Sequence, residues 1–479
     1  MSFNSGGYFF LLFSVFVLFW GMRRHPSLRL WLLLAASYVF YASWNGLYLV
    51  LIFLSTLIDY SAGHLIYAYD KRPRLRRLFL VISVVSNLAV LCLFKYGQFM
   101  IDNVGWTLNL LHMEADLPTL RILLPIGVSF YTFQSMSYTL DIYLRRIQPA
   151  RSARDFFLFV AFFPQLIAGP IVRAGELLPQ FEGEPRLTRD DLAQGVYLIL
   201  RGLAKKMVVA DYLAGAVVDP VFNMPHLFNS METFVALIGF HFQIYCDFSG
   251  YTDIAIGSAR LFGFDLPQNF DRPYAACTPA RFWRRWHMTL TRFAFDYLYV
   301  PMGGSRGGLH RTLRNILLTF AVIGLWHGAH WKYVLFGLYH AVGVIGTRAA
   351  LALAAPFAAG GARGLEDRLE GRVAPIVLTN LFIIFSLPLF RAADLPTAWA
   401  VYGRAFSFTG ASAGFPAVSL LVLLAAVVAH YVPERVEERM RRAVAVWHPA
   451  LQGALVVAFA FIIERMALLA QRSFIYFQF

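Results

Sequence analysis

The 479-residue chain has few charged side chains. Asp, Glu, Lys and Arg make up 15% of it, whereas soluble domains carry about a quarter. Hydrophobic residues make up 58%, and apolar runs long enough to cross a bilayer recur from end to end. The composition argues against a chain of soluble domains. We predict one membrane-embedded domain, 1–479, of the all-α class: a polytopic integral membrane protein.

Cysteine is also scarce. The three that occur, Cys92, Cys246 and Cys277, are too few and too scattered for a disulfide framework or a zinc site. The 42 Lys and Arg exceed the 28 Asp and Glu, but they fall in short clusters between apolar segments. This distribution is typical of a cytoplasmic membrane face and argues against nucleic-acid binding.

The basic clusters predict the topology of the first five spans. Tyr8–Met22 has no basic stretch before it and Arg23 and Arg24 after it, which indicates a retained helix rather than a signal peptide. The stretch 98–119 contains no Lys or Arg. We therefore predict that the N-terminus lies outside the cytoplasm. The next four spans are predicted at Leu30–Trp44, Leu47–Tyr67, Leu78–Phe94 and Ile122–Leu144.

The middle of the chain is less regular. Pro164, Gly169 and Pro170 interrupt the apolar run 156–172, which predicts either a re-entrant element lining a cavity or a kinked but ordinary helix. The stretch 190–216 is helical in pattern but carries basic residues midway, so an interfacial amphipathic helix that dips into the membrane is predicted.

Helical spacing aligns polar residues in the long apolar stretch 233–262. Ser249, Asp253, Gly257 and Arg260 recur at offsets of four, four and three, so they share one helix face. Two interpretations remain open at this point: a polar seam that satisfies itself between packed helices, or the lining of a cavity.

Later segments are predicted as hairpin, linker and scaffold. Thr312–Tyr333 and Val334–Leu353 form a helical hairpin, with His327 near the middle of its first helix. The segment 351–373 is an Ala- and Gly-rich linker without evident chemistry. The scaffold spans are predicted at 374–390, 416–432 and 450–470.

The central stretch, 281–340, concentrates bases, indoles and imidazoles in apolar sequence. Ionisable groups at membrane depth are costly, so function is their default explanation. Trp283, Arg284, Arg285, Trp286 and His287 are too polar for a lipid-facing span and too aromatic for a solvated loop. They suit either the headgroup level or the wall of a water-filled funnel.

His327 is the candidate for chemistry in this stretch. A buried neutral imidazole serves as a general base, a proton relay or a metal ligand. His330, three residues on, could share a helix face with it. No acidic or cysteine ligand accompanies the pair in the segment, so we predict no metal site.

Five ordered motifs carry a family resemblance. They are Phe163-Pro164-Gln165-Leu166-Ile167-Ala168-Gly169-Pro170-Ile171, Asp247-Phe248-Ser249-Gly250-Tyr251-Thr252-Asp253, Phe282-Trp283-Arg284-Arg285-Trp286-His287, Asp296-Tyr297-Leu298-Tyr299-Val300-Pro301-Met302-Gly303-Gly304 and Leu325-Trp326-His327-Gly328. With them the chain resembles the membrane-bound O-acyltransferase family, and within it the branch that O-acetylates alginate. Two positions depart from that pattern: Phe295 stands where relatives often have Arg, and His330 where they usually have a small polar residue.

The resemblance implies a fold, a donor and a set of site residues. The fold is a core of roughly 11 tilted transmembrane helices, with re-entrant and interfacial helices, around a tunnel. His327 is implied as the catalytic histidine and His287 as a second catalytic position, with acetyl-CoA as donor substrate and no bound cofactor. The residues predicted to line the tunnel or contact substrate are Asp247, Asp253, Trp283, Arg284, Arg285, Trp286, Asp296, Trp326 and His330.

The sequence thus predicts a membrane O-acyltransferase. Within it, 1–150 supplies N-terminal helices, 151–350 the catalytic core and 374–479 C-terminal helices. We expect a multi-pass protein of the inner membrane, in contact with lipid, that moves acetyl groups outward to an alginate-like polysaccharide. A separate periplasmic or extracellular acetyltransferase is expected to complete the transfer. The alternative is a transporter or lipid-linked-sugar flippase, in which His327, Asp247 and Asp253 form a proton or substrate path.

Overall fold

The computed structural model is helical throughout the part of the chain that it describes. That part comprises residues 1–445, without 2, 114, 121, 123, 168, 358–360 and 409–413, together with 451, 474 and 475. No strand occurs among these residues, so the predicted all-α class is confirmed. Apart from residue 451, the predicted span 450–470 lies outside the described residues.

The chain folds as two compact units. The first comprises Met1–Val196 and Ala255–Pro267, and the second comprises Tyr197–Ile254 and the described part of Gln268–Phe479. The functional subdivision of the chain at 150 and 350 remains a prediction.

Eight helices lie wholly within the first unit. They are α1 (Gly6–Gly21), α2 (Pro26–Ala42), α3 (Leu47–Ala68), α4 (Pro73–Leu91), α5 (Gly97–Leu110), α6 (Val128–Tyr143), α7 (Ala153–Ala161) and α8 (Ala174–Glu182). The five spans predicted in this part of the sequence correspond to α1, α2, α3, α4 and α6. A π-helical turn, Cys92–Tyr96, joins α4 to α5.

Two helices pass from one unit into the other. They are α9 (Arg189–Leu203) and α11 (Ser230–Leu261), separated by α10 (Asp219–Asn223). The remaining helices belong to the second unit. They are α12 (Pro279–Arg285), α13 (Met288–Ala294), α14 (Leu309–His327), α15 (Trp331–Ala354), α16 (Gly361–Leu369), α17 (Val373–Arg391), α18 (Leu395–Ala405), α19 (Ala417–Tyr431) and α20 (Glu434–Ala445). Short π-helical segments, Ala204–Asp211, Ala214–Val218 and Phe295–Tyr299, lie between them.

Four helical stretches in the described chain are long and apolar enough to cross a membrane. They are Leu47–Ala68, Pro73–Leu110, Trp331–Ala354 and Val373–Arg391, and the shorter α1 and α19 are also apolar. The total of about eleven spans remains a prediction.

The proline-rich segment after α7 is not helical. The helix ends at Ala161, and the described residues from Phe162 to Val172 form buried turns. The alternative of a kinked, continuous helix is therefore wrong, because Pro164 and Pro170 cannot complete the helical hydrogen-bond ladder. Protein atoms of the first unit bury this segment, as irregular backbone in a membrane protein requires.

The hairpin α14–α15 is confirmed, but the place of His327 in it is corrected. His327 is the last residue of α14 and not near the middle of a helix. Gly328 is extended (φ −167°, ψ 153°) and ends the helix. His330 then caps α15, because its Nδ1 accepts the Lys332 N–H at 3.1 Å. His327 and His330 therefore do not share a helix face.

Glycines allow α14 and α15 to pack closely. A Cβ atom on Gly324 would overlap the carbonyl oxygen of Tyr333, and one on Gly337 would overlap that of Phe320. Small residues at helix contacts let backbones approach in membrane proteins. This contact fixes the end of α14, and with it His327, against α15.

The predicted linker 351–373 contains the helix α16. No chemistry is predicted for this segment, whereas Glu366 of α16 and Glu370 just after it bind three arginines of α12. These acidic side chains form a surface that is complementary to the α12 arginines. They are not a featureless spacer.

Candidate functional site

A cavity in the second unit opens beside His327. The side chain of His327 is 3% exposed and packs against Phe336 of α15 and Phe390 of α17, with ring centroids 5.9 and 5.2 Å apart. Aromatic and aliphatic side chains form most of the wall. The lining residues are Ile244, Tyr274, Phe282, Trp283, Trp286, His327, Phe336, His340, Ile383, Ser386, Leu387 and Phe390.

His340 is a second buried histidine of this cavity, and sequence reasoning did not select it. The Trp283 indole N–H donates to its Nδ1 at 3.2 Å, and its Nε2–H donates to Ser386 Oγ at 3.0 Å. The Ser386 hydroxyl donates in turn to the Ile383 carbonyl at 2.6 Å. Both ring nitrogens of His340 are thus engaged, so it fixes Trp283 rather than accepting a proton from a substrate.

A sequence signal for His340 does exist. Tyr333, Phe336 and His340 recur at offsets of three and four, on the face of α15 that is buried in the second unit. A histidine on an otherwise aromatic buried face needs polar partners. Those partners come from α12 and α17, so spacing within α15 could not identify them.

His287 lies between the short helices α12 and α13. It is fully buried, and its backbone is left-handed (φ 44°, ψ 53°), which is uncommon for a residue with a Cβ atom. Its Nδ1 lies 3.1 Å from Asn269 Oδ1. Burial lowers the pKa of the His287 imidazole, because desolvation disfavours the charged ring. Neutral His287 is therefore the form of the folded protein near pH 7.

The Trp326 ring lies close to both predicted catalytic histidines. Its ring centroid lies 5.9 Å from that of His287 and 5.1 Å from that of His327. Trp286, next to His287, lines the cavity that contains His327. Of the predicted site residues, the structure thus gathers His287, His327 and the indoles of Trp283, Trp286 and Trp326.

The predicted arginines are bound to acidic side chains in and just after α16. Arg284 donates to both oxygens of Glu366, at 2.9 and 3.1 Å, and Arg285 pairs with Glu370. Arg281 also pairs with both of these glutamates. The Arg284 side chain stays 60% exposed, whereas Phe282 and Trp283 on the same helix line the cavity.

The predicted aspartates are held by cations of the second unit. Asp253 binds Arg201 and Lys205, each at 2.7 Å. Asp247 binds Lys206 at 2.5 Å, and both side chains are at most 3% exposed. For Asp253, the structure therefore supports the predicted polar seam, in which the polar side chains of packed helices bond to each other. Neither aspartate is among the residues that line the cavity.

Asp296 and His330 lie elsewhere in the second unit. Asp296 is half-buried in the π-helical turn Phe295–Tyr299, and such turns occur often at functional sites. His330 caps α15, and partial burial, followed by the charge of Lys332, lowers its pKa. Neither residue is among those that line the cavity.

The fold and the site describe a membrane enzyme with a buried histidine in an aromatic cavity. The family model of the membrane-bound O-acyltransferases matches residues 43–366, and the chain belongs to this family. It is an acyltransferase, which decides against the transporter or flippase class.

Individual relatives are similar over most of the chain. A probable alginate O-acetylase AlgI from Pseudomonas aeruginosa is 38% identical, covering 85% of this chain and 75% of the relative. The same-named protein of Azotobacter vinelandii is 36% identical over 85% of this chain and 78% of its own. A peptidoglycan O-acetyltransferase of Helicobacter pylori is 34% identical over 80% and 75%, respectively. The predicted AlgI-like resemblance is confirmed.

Proposed function

We propose that this chain transfers acetyl groups from acetyl-CoA, at the cytoplasmic face of the inner membrane, toward hydroxyls of an exported polysaccharide. A separate periplasmic or extracellular acetyltransferase receives the group and completes the transfer. The names of the relatives, which include an alginate O-acetylase and a peptidoglycan O-acetyltransferase, support a polysaccharide as final acceptor. The apolar helices support a membrane location.

The observation that carries the proposal is the placement of His327. The helix α14 ends at this residue, so its imidazole is presented to a cavity walled by aromatic side chains. A histidine held in this way can act as a general base, which contributes roughly 10²–10⁴-fold to such reactions. Acyl transfer to a hydroxyl needs such a base, because a neutral hydroxyl is a weak nucleophile.

His327 accepts the proton of the acceptor's hydroxyl as that hydroxyl oxygen attacks the thioester carbonyl of the donor. The new C–O bond forms, the C–S bond breaks, and the CoA thiolate leaves with the electron pair. The imidazolium returns its proton to that sulfur, so the products are an O-acetyl ester and free CoA. His287, whose ring packs near Trp326, accepts a hydrogen bond from the substrate.

The phosphates of the donor need cations outside the cavity. Arg284 is the most exposed of the α12 arginines, and it follows directly after Trp283, which lines the cavity. Arginine binds phosphate through several hydrogen bonds in a fixed geometry. A donor that binds at this position must compete with the carboxylates of Glu366 and Glu370 for these arginines.

Release of free CoA from acetyl-CoA tests the proposal. The assay uses purified protein in detergent, supplied with membrane extract that contains the acceptor and the partner proteins. His327→Ala is compared with His310→Ala, which changes an exposed histidine at the start of the same helix. We expect His327→Ala to lose roughly 10²-fold or more of the rate and His310→Ala to keep it.

Two results would contradict the proposal. A wild-type protein that releases no CoA under these conditions is not a CoA-dependent acetyltransferase. A fully active His327→Ala, folded to the same extent as the wild type, would place the chemistry outside the cavity.

A further inference from the structure

Asn269 is tied by its main chain to the segment that carries His287. Its carbonyl oxygen accepts the Met288 N–H at 2.9 Å. Two residues on, the Asp271 N–H donates to the Arg285 carbonyl at 3.0 Å. The segment 269–271 therefore pairs with the backbone on both sides of His287, and it fixes where that residue lies in the second unit.

The side chain of Asn269 determines which nitrogen of His287 carries the proton. Asn269 Oδ1 accepts the Thr289 N–H at 3.3 Å and the Thr289 hydroxyl at 2.9 Å. A main-chain N–H can only donate, so the amide oxygen, and not its nitrogen, faces this group. His287 Nδ1, 3.1 Å from the same oxygen, must then be the protonated nitrogen. In the neutral ring the lone pair is left on Nε2.

Two local costs are concentrated at this contact. His287 is held in the left-handed region of the backbone. Among the described residues, none accepts a hydrogen bond from the buried Asn269 Nδ2. Proteins keep such costs mainly where a geometry serves function. A side chain chosen only for packing would not leave half of a buried amide unpaired.

We propose that Asn269 is the positioning residue of His287 and holds it as the Nδ1–H tautomer, which leaves Nε2 as the basic nitrogen of the ring. The inference rests on the acyl transfer proposed above. Asn269 itself contacts no reacting atom. It acts through the ring of His287, and Thr289 prevents its amide from turning over.

The tautomer can be measured without any activity. Protein labelled with ¹⁵N-histidine reports the protonated and the unprotonated ring nitrogen by their shifts, and the His287 signal is identified by its loss in His287→Gln. We expect a protonated Nδ1 in the wild type and a mixture of tautomers in Asn269→Ala. A wild-type Nε2–H tautomer would overturn the inference.

Rates provide the second test. We expect Asn269→Ala to lower kcat/KM by about 10- to 100-fold, because small misplacements of a catalytic group cost this much. In a His287→Ala background the same substitution should cost nothing further. An equal loss in both backgrounds would show a merely structural role and overturn the inference. A fully active His287→Ala variant would also overturn the inference about Asn269. That result would not contradict the proposed acyl transfer itself.

Asn269→Asp keeps the acceptor and adds a negative charge beside the ring. The carboxylate favours imidazolium, so the acid limb of the kcat/KM profile should move to higher pH by about one unit. Asn380→Asp is the matched control, since Asn380 Oδ1 lies 2.9 Å from Nε2 of a different buried histidine, His241. If the acid limb of the kcat/KM profile moves equally in both variants, or in neither, the assignment of Asn269 as the positioning residue of His287 is contradicted.

Discussion

His340 shows how a single side chain can shape the site without joining the reaction. Its two nitrogens connect Trp283 of α12 to Ser386 of α17. The cavity wall therefore consists of indole and phenyl rings whose orientation depends on one imidazole. Packing alone would leave the indole N–H buried without an acceptor, which costs roughly 1–3 kcal/mol.

We expect His340→Ala to lower both the thermal stability and the rate of CoA release. The substitution leaves the Trp283 N–H without its acceptor and opens space beside His327. Ser386→Ala removes the acceptor of the Nε2–H only, so its loss should be smaller. Unfolding in detergent, followed by tryptophan fluorescence, measures the stability of each variant. A His340→Ala protein as stable as Ser386→Ala would contradict the bridging role.

His287 gives the protein a dependence of stability on pH. Burial holds its folded pKa below the unfolded value of about 6.5. The unfolded state therefore binds more protons in the window below pH 6.5, and stability falls as the pH falls through that window. Lowering the pH from 7.5 to 5.5 should destabilise the wild type more than His287→Phe. Equal losses of melting temperature in the two proteins would refute this assignment.

Sequence reasoning reached some site residues and missed others for identifiable reasons. His327 stands among indoles and imidazoles that are unusual in apolar sequence, so composition drew attention to it, whereas the catalytic role of His287 was implied by the family resemblance. His340 and Asn269 owe their roles to partners that are distant in sequence or joined through backbone pairing. Hydrophobic periodicity contains no information about such partners.

At the scale of helices, α14 and α15 depend on glycine contacts. We expect Gly324→Ala to force the two helices apart, because its Cβ would overlap the Tyr333 carbonyl oxygen. The expected result is lower stability and a lower rate, since His327 lies one turn further along α14. Gly346→Ala on α15 is the control, because no atom lies within 4 Å of the added Cβ. Similar losses for both variants would show a general intolerance of alanine.

The carboxylates of Glu366 and Glu370 neutralise the α12 arginines that the proposed donor would contact. We expect the double variant Glu366→Gln and Glu370→Gln to lower the KM for acetyl-CoA, because it removes the carboxylates that neutralise Arg284 and Arg285. Arg284→Gln should raise that KM. Salt screens exposed charges, so both differences should shrink at high ionic strength. An unchanged KM with reduced stability would make these ion pairs purely structural.

Helix boundaries show the limit of the apolar pattern. The predicted spans agree with the helices α2, α3 and α17. In these places a long apolar run ends at charged or turn residues. The end of α14 was misplaced because Gly328 and His330 stand within an unbroken hydrophobic run. Amphipathic α16 was missed because Ala and Gly dominate the residues before it, and its acidic face depends on arginines far away in sequence.

For the whole molecule, the charge bias makes a prediction about orientation. In a background without Cys92, Cys246 and Cys277, Gly6→Cys should react with an impermeant thiol reagent on intact cells. Arg74→Cys should react only after the membrane is opened. Both positions are exposed in the structure. The reverse labelling pattern would place the N-terminus in the cytoplasm and reverse the proposed direction of transfer.

The bonding of the cavity wall has a consequence for the idle enzyme. Within the lining, the polar atoms of Tyr274, Trp283, His340 and Ser386 are already bonded to protein. A water molecule needs two to four polar partners to occupy a cavity, and the phenyl and aliphatic side chains of the lining provide none. Water is therefore a poor competitor for the acyl carbon of a donor. An acyltransferase built in this way wastes little donor on hydrolysis while it waits for an acceptor.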